Sequence, residues 1–145
     1  MDTRSRRDRL LTAGGALAIP VGTSLPWVRL NPTLPPDAEI PTLRLAGASP
    51  GIEAFDVALL GLVALVLLVG AGTRPRLRFV VTVAAGVGTV SLCAFFLSTS
   101  SLVGFTATFV PALGWYLTVL GGALFAVTGG RHLLSMLRSR TALTA

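Results

Sequence analysis

Between Phe79 and Leu97 the chain carries no charged residue, and from Phe55 to Ala71 it reads FDVALLGLVALVLLVGA with a single acid near one edge. Runs of this kind dominate what the polypeptide can become. A hydrocarbon layer about 30 Å thick takes on the order of 20 apolar residues per helix, at 1.5 Å each. Two further stretches approach that length. Leu10 to Val28 is diluted by Thr12, Pro20, Thr23, Ser24 and Pro26, while Val110 to Thr128 can hold Pro111 in its first turn, where a missing N–H costs nothing. The rest is too poor in polar groups to coat a water-soluble core. Of the 145 residues 12% are charged and 52% hydrophobic, and mean hydropathy is +0.77, whereas soluble domains carry about 25% charged residues. Disorder requires the opposite composition, and the lone Cys93 excludes a disulfide scaffold. The expected fold is therefore all-α: an antiparallel, up-down integral membrane four-helix bundle. It forms a single transmembrane domain with spans near 10–28, 52–72, 79–97 and 110–129.

The arginines set the expected orientation. Arg4, Arg6, Arg7 and Arg9 precede the first span, Arg74, Arg76 and Arg78 separate the second from the third, and Arg131, Arg138 and Arg140 follow the fourth. Ten of the twelve basic residues thus fall in three segments that hold only two acids, Asp2 and Asp8. The opposite side has Arg29 and Arg44 with Asp37, Glu39, Glu53 and Asp56. Short positive segments stay in the cytoplasm, so both termini and the tail 131–145 are expected inside. The net charge of +6 then reports topology. Three arginine clusters separated by lipid-spanning helices make no continuous basic groove, so nucleic acid is not an expected partner. All the basic residues are arginine, the composition of GC-rich coding, which points to a prokaryotic plasma membrane.

Ser5-Arg6-Arg7 followed by Leu10-Leu11 resembles a twin-arginine export signal, and Ala16-Leu17-Ala18 has the small-x-small form of a cleavage site. The apolar run to Ala18 is short, and Ile19-Pro20 is an awkward place to cut. Retention as a first helix is therefore the preferred reading. Cleavage would leave three spans in the same orientation.

The outer connection 29–51 contains Pro32, Pro35, Pro36, Pro41 and Pro50, which favour an extended, turn-rich course. It is expected to cap the outer helix ends, with Thr42 to Leu45 either a short strand or an apolar strip lying on the bundle. Trp27, Trp115 and Tyr116 fall near the same level and are expected to anchor the chain in the interface as an aromatic belt rather than as a cage for a cationic ligand. Inside, Thr73-Arg74-Pro75-Arg76 should form a tight hairpin. Arg74, Arg76, Arg78, Arg131 and Arg138 are the expected inner anchors. The tail from Arg131 to Arg140 either continues the fourth helix or turns onto the headgroups, where arginines meet anionic lipid.

Helices in lipid need small residues to approach closely. The fourth span offers Gly114, Thr118, Gly122, Ala126 and Gly130 at four-residue intervals, each step drifting by about 40° around the helix. The first offers Gly14, Ala18 and Gly22, and the third Thr82, Gly86, Ala94 and Ser98. These faces either hold one bundle together or join it to other copies or membrane subunits.

Chemistry-bearing residues are sparse. No ionisable group lies mid-span; Asp56 and Glu53 sit near the outer start of the second helix, where carboxylates compensate the helix dipole. His132 is the only histidine, and it and Cys93 fall at different depths, so neither a metal nor a haem site is expected. No serine-protease set, zinc motif or phosphate loop can be assembled. The expected role is a structural or accessory subunit, without cofactor or enzymatic activity. The alternative is a small transporter or channel component whose path is lined by Thr89, Ser91, Ser98 to Ser101, Thr106, Thr108 and backbone carbonyls.

Overall fold

The computed structural model describes residues 3–37, 54–72, 75–102 and 108–141. Its elements are α1 (Thr3–Ser24), β1 (Val28–Leu30), α2 (Ala54–Gly70), α3 (Pro75–Leu102), β2 (Phe109–Pro111) and α4 (Leu113–Thr141). The fold is all-α, the two strands being three residues each. The connection 38–53, including Thr42 to Leu45 and Glu53, lies outside the described residues, as do Thr73 and Arg74.

Helix α4 is the centre of the molecule. Gly22 of α1 faces Gly114 and Thr118, and Gly15 faces Gly121 and Phe125, so α1 runs antiparallel to α4. On the neighbouring side Gly86 of α3 faces Gly122 and Ala126, while Gly129 faces Phe79 and Val83, and this pair is antiparallel too. Helix α2 completes the bundle, with Phe55 against Trp27 and Phe96 and with Leu62 near Gly88. The core is Ile19, Leu59, Val63, Val66, Ala85, Cys93 and Phe125, with Trp27 at one end.

Helix boundaries differ from expectation for local reasons. The first helix starts about two turns before Leu10, because arginine-rich residues propagate a helix as well as apolar ones do. It stops at Ser24 because Leu25 precedes Pro26, whose ring disfavours helical geometry in the residue before it. The third helix begins on Pro75, a favoured first position, and runs past Leu97 to Leu102. The fourth does not take Pro111 into its first turn. Pro111 is extended, paired with Val28, and the helix starts at Leu113. At its other end α4 continues without interruption through the tail to Thr141.

The β1–β2 ribbon pairs Val28 with Pro111, Arg29 with Val110 and Leu30 with Phe109. It ties the exit of α1 to the entrance of α4. The Ala112 N–H donates to the Trp27 carbonyl at 2.8 Å, and the Gly114 N–H to the Pro26 carbonyl at 3.2 Å. Donors at a helix start lack partners within the helix, and here the carbonyls just beyond the end of α1 supply them. The positive end of the α4 dipole thereby meets the negative end of α1. A β-carbon on Gly114 would lie 2.6 Å from both the Gly22 and Leu25 carbonyl oxygens, so only glycine permits this seat.

Candidate functional site

The antiparallel arrangement gathers the starts of α1 and α3 and the end of α4 at one end of the bundle. There they line an open cavity of about 780 Å³. From α1 it is lined by Asp8, Arg9 and Thr12, from α3 by Arg78, Phe79 and Thr82, and from α4 by Thr128, Arg131, His132, Leu134, Ser135 and Arg138, among others. Gly129 sets the spacing, since a β-carbon there would stand 2.9 Å from the Phe79 carbonyl oxygen. The close approach lets Phe79 stack on the His132 ring, centroids 4.3 Å apart and planes 14° from parallel. On its other side His132 Nε2 lies 2.8 Å from Asp8 Oδ2. The Nε2–H of His132 donates to the Asp8 carboxylate there, and the contact is a full ion pair only when the imidazole is protonated. The Thr12 hydroxyl donates to the Asp8 carbonyl at 2.9 Å and the Ser135 hydroxyl to the His132 carbonyl at 2.8 Å.

The Asp8–His132 pair was not foreseen from the sequence, where Asp8 counts only as a charge. The signal lies in the helix register. With Gly22 opposite Gly114 and Gly15 opposite Gly121, continuing the antiparallel pairing places Asp8 across from the turn that holds Thr128 and His132.

The small-residue stripe of α4 divides between two neighbours. Gly114 and Thr118 face α1, as does Gly121 beside the stripe, whereas Gly122 and Ala126 face α3 together with the neighbouring Gly129. The drift of about 40° per four residues carries the stripe from one partner to the other. Gly130, at its end, would present a β-carbon to nothing within 4 Å, and it is Gly129 that is tightly packed. In α1 the same displacement occurs: Gly14 leaves ordinary room beside Leu124, and Gly15 is the close contact. Ala18 is half-buried. These faces serve helix contacts within the chain.

At the opposite end the aromatic residues have different surroundings. Trp27 is 3% exposed and is not a surface anchor. It packs edge-on against Phe96 and Phe55 at 5.2 and 6.3 Å, and its indole N–H donates to the Gly22 carbonyl at 3.2 Å. Trp115 is half-buried and donates to the Cys93 carbonyl at 3.1 Å, while Tyr116 is exposed. Asp56, in the first turn of α2 as the dipole argument places it, is 7% exposed and so buried. Thr89 is buried against Gly122 whereas Ser91 and Ser98 are exposed, so these α3 hydroxyls do not share one face. Arg76 is exposed beside the cavity-lining Arg78. Among the described residues no three His, Cys, Asp or Glu side chains are grouped as a metal would require. Cys93 sits at the level of Trp115, away from His132. Compared with known proteins, the chain matches no family model, no curated protein and no solved structure.

Proposed function

We propose that the chain is a four-span protein of a prokaryotic plasma membrane, arginine-rich end inward, acting as a structural or accessory component without catalytic activity. The observation that carries this reading is the apolar waist of the bundle. Leu17 and Val21 on α1, Leu65 and Leu68 on α2, Val87 and Phe95 on α3, and Leu120 and Val127 on α4 are all exposed, Leu68 to 74%. Water would penalise apolar patches on every helix, whereas hydrocarbon would not. Arg76–Ser98 and Leu113–Met136 are long and apolar enough to cross a membrane, and Phe55–Gly70 is a shorter apolar helix. At 1.5 Å per residue α2 covers about 25 Å, so it crosses with help from its flanks or by local thinning of the bilayer.

The internal use of the glycine faces favours a self-contained bundle. Partners would then meet its apolar flanks or its outer connection. Among the described residues Asp, Arg and His occur only towards the two ends of the bundle, which leaves no polar relay along its middle.

Two measurements test the reading. Single cysteines placed near each terminus in a Cys93→Ser background should react with a membrane-impermeant maleimide only after cells are permeabilised. Labelling in intact cells, or recovery of the chain in the soluble fraction, would refute the topology. Native mass measurement after mild detergent extraction should show a second copy or a co-purifying membrane protein. A strictly single-chain species would remove the accessory role.

A further inference from the structure

We infer that the cavity at the arginine-rich end is a binding site for a phosphate group, carried either by the headgroup of an anionic lipid or by a free phosphorylated solute. Four arginines line it from three helices: Arg9 from α1, Arg78 from α3, Arg131 and Arg138 from α4. The one carboxylate in the lining, Asp8, is engaged by His132 at 2.8 Å. Among the described residues none of the four arginines has a carboxylate partner. Three of them are exposed and Arg78 is half-buried, so four positive charges share one water-facing opening that an anion can enter.

Phosphate suits this geometry better than carboxylate does. Its oxygens are arranged tetrahedrally and accept from several directions, and guanidinium groups bind them in pairs of parallel hydrogen bonds. The starts of α1 and α3 and the end of α4 meet at this end, so their dipoles oppose one another and the positive potential comes from the arginines. The hydroxyls of Thr12, Thr82, Thr128 and Ser135 each donate to a carbonyl of their own helix, so the arginines are left as the donors to a ligand. Phe79 and Leu134 give part of the wall an apolar character that would suit the glycerol and upper acyl region of a lipid. A volume of about 780 Å³ exceeds what one phosphate needs and lies within the usual size of a small-molecule pocket.

The lipid source rests on the membrane reading above; the phosphate chemistry does not. The test uses the full chain purified in a neutral detergent, with three probes: phosphatidylglycerol, phosphatidylcholine and inorganic phosphate. Retained lipid is counted by native mass measurement, and phosphate binding is read by calorimetry. Phosphatidylglycerol should be retained at least about tenfold more tightly than phosphatidylcholine, and Arg78→Gln with Arg131→Gln should remove most of that preference. Arg29→Gln, at the opposite end, should leave it intact, and Arg78→Lys with Arg131→Lys should keep the charge but bind more weakly. Circular dichroism establishes that each variant is folded; if the glutamine pair is not, the lysine pair carries the comparison. Inorganic phosphate binding without lipid preference would assign the free-solute source. Binding of neither probe would overturn the proposal, as would a lipid preference lost equally in Arg29→Gln or unchanged in the folded cavity variants. If the chain proves soluble without detergent, the membrane reading fails while the phosphate titration still decides the site.

Discussion

The carbonyl oxygen of Gly122 lies 2.6 Å from where a β-carbon on Gly86 would stand, with the Ala126 backbone closing the same space. Neither neighbour is a side chain that can rotate away, so α3 and α4 touch backbone to backbone here. Gly86→Ala should therefore force the helices apart at a cost of about 1–3 kcal/mol, and Gly86→Val should cost more. Gly130→Ala, one turn beyond Ala126, meets nothing within 4 Å and should be neutral or gain up to about 1 kcal/mol from helix propensity. Thermal unfolding of the two variants in detergent makes the comparison; equal midpoints would show that the close approach does not contribute to stability.

A second prediction concerns a hydroxyl. Thr89 is fully buried, and its Oγ1 has no hydrogen-bond partner among the described residues. Thr118 on α4 is equally buried, yet its hydroxyl donates to the Gly114 carbonyl at 2.9 Å. Replacing a buried unpaired hydroxyl by a methyl group of the same shape removes a desolvation penalty, so Thr89→Val should stabilise the fold by about 1 kcal/mol. Thr118→Val should instead lose about 1 kcal/mol with its bond. The order of the two unfolding midpoints decides the matter. A less stable Thr89→Val would mean that the hydroxyl is satisfied in the folded protein.

These contrasts also mark what was legible before the structure. The four helices follow from long apolar runs, and the antiparallel order from the spacing of the arginine clusters. The repeat of small residues in α4 was visible as well, but its division between α1 and α3 was not. Gly121 and Gly122 are about 100° apart on the helix, and periodicity alone cannot say which neighbour each one meets. Gly15 and Gly129 make the close contacts rather than Gly14 and Gly130, and one position of shift leaves the spacing pattern almost unchanged. The β1–β2 ribbon was missed for a different reason. Val28–Leu30 and Phe109–Pro111 are each too short to show an alternation, and their pairing joins segments far apart in the chain. Trp27 reads as an interface residue by position, and only the meeting of Phe55 and Phe96 around it makes it part of the core.

Trp27 should accordingly behave as a core residue. Trp27→Ala removes the ring against which Phe55 and Phe96 pack and leaves a cavity, at a cost of about 3–5 kcal/mol. Trp27→Phe keeps part of the packing and loses the indole bond to the Gly22 carbonyl, which is worth about 0.5–1.5 kcal/mol. Tyr116, more than half exposed, should tolerate alanine with a much smaller change. Near-ultraviolet circular dichroism and thermal unfolding report both effects. A Trp27→Ala variant no less stable than Tyr116→Ala would place the indole at the surface.

The tie between Asp8 and His132 joins the start of α1 to the late turns of α4, and its contribution depends on how far it is from water. The two side chains are 18% and 34% exposed, so solvent screens part of the attraction and the pair should be worth at most about 1 kcal/mol. Its consequence is local. Asp8→Asn keeps a hydrogen-bonding side chain of the same shape and should lower the unfolding midpoint only slightly. Asp8→Leu removes the partner and should increase amide exchange in the first two turns of α1 while leaving Gly15 to Gly22, held by the α4 glycines, as protected as before. In a double-mutant cycle with His132→Leu the coupling should fall within that limit. Exchange that rises uniformly along α1 would instead show that the pair secures the whole helix, and that the glycine contacts need it to form.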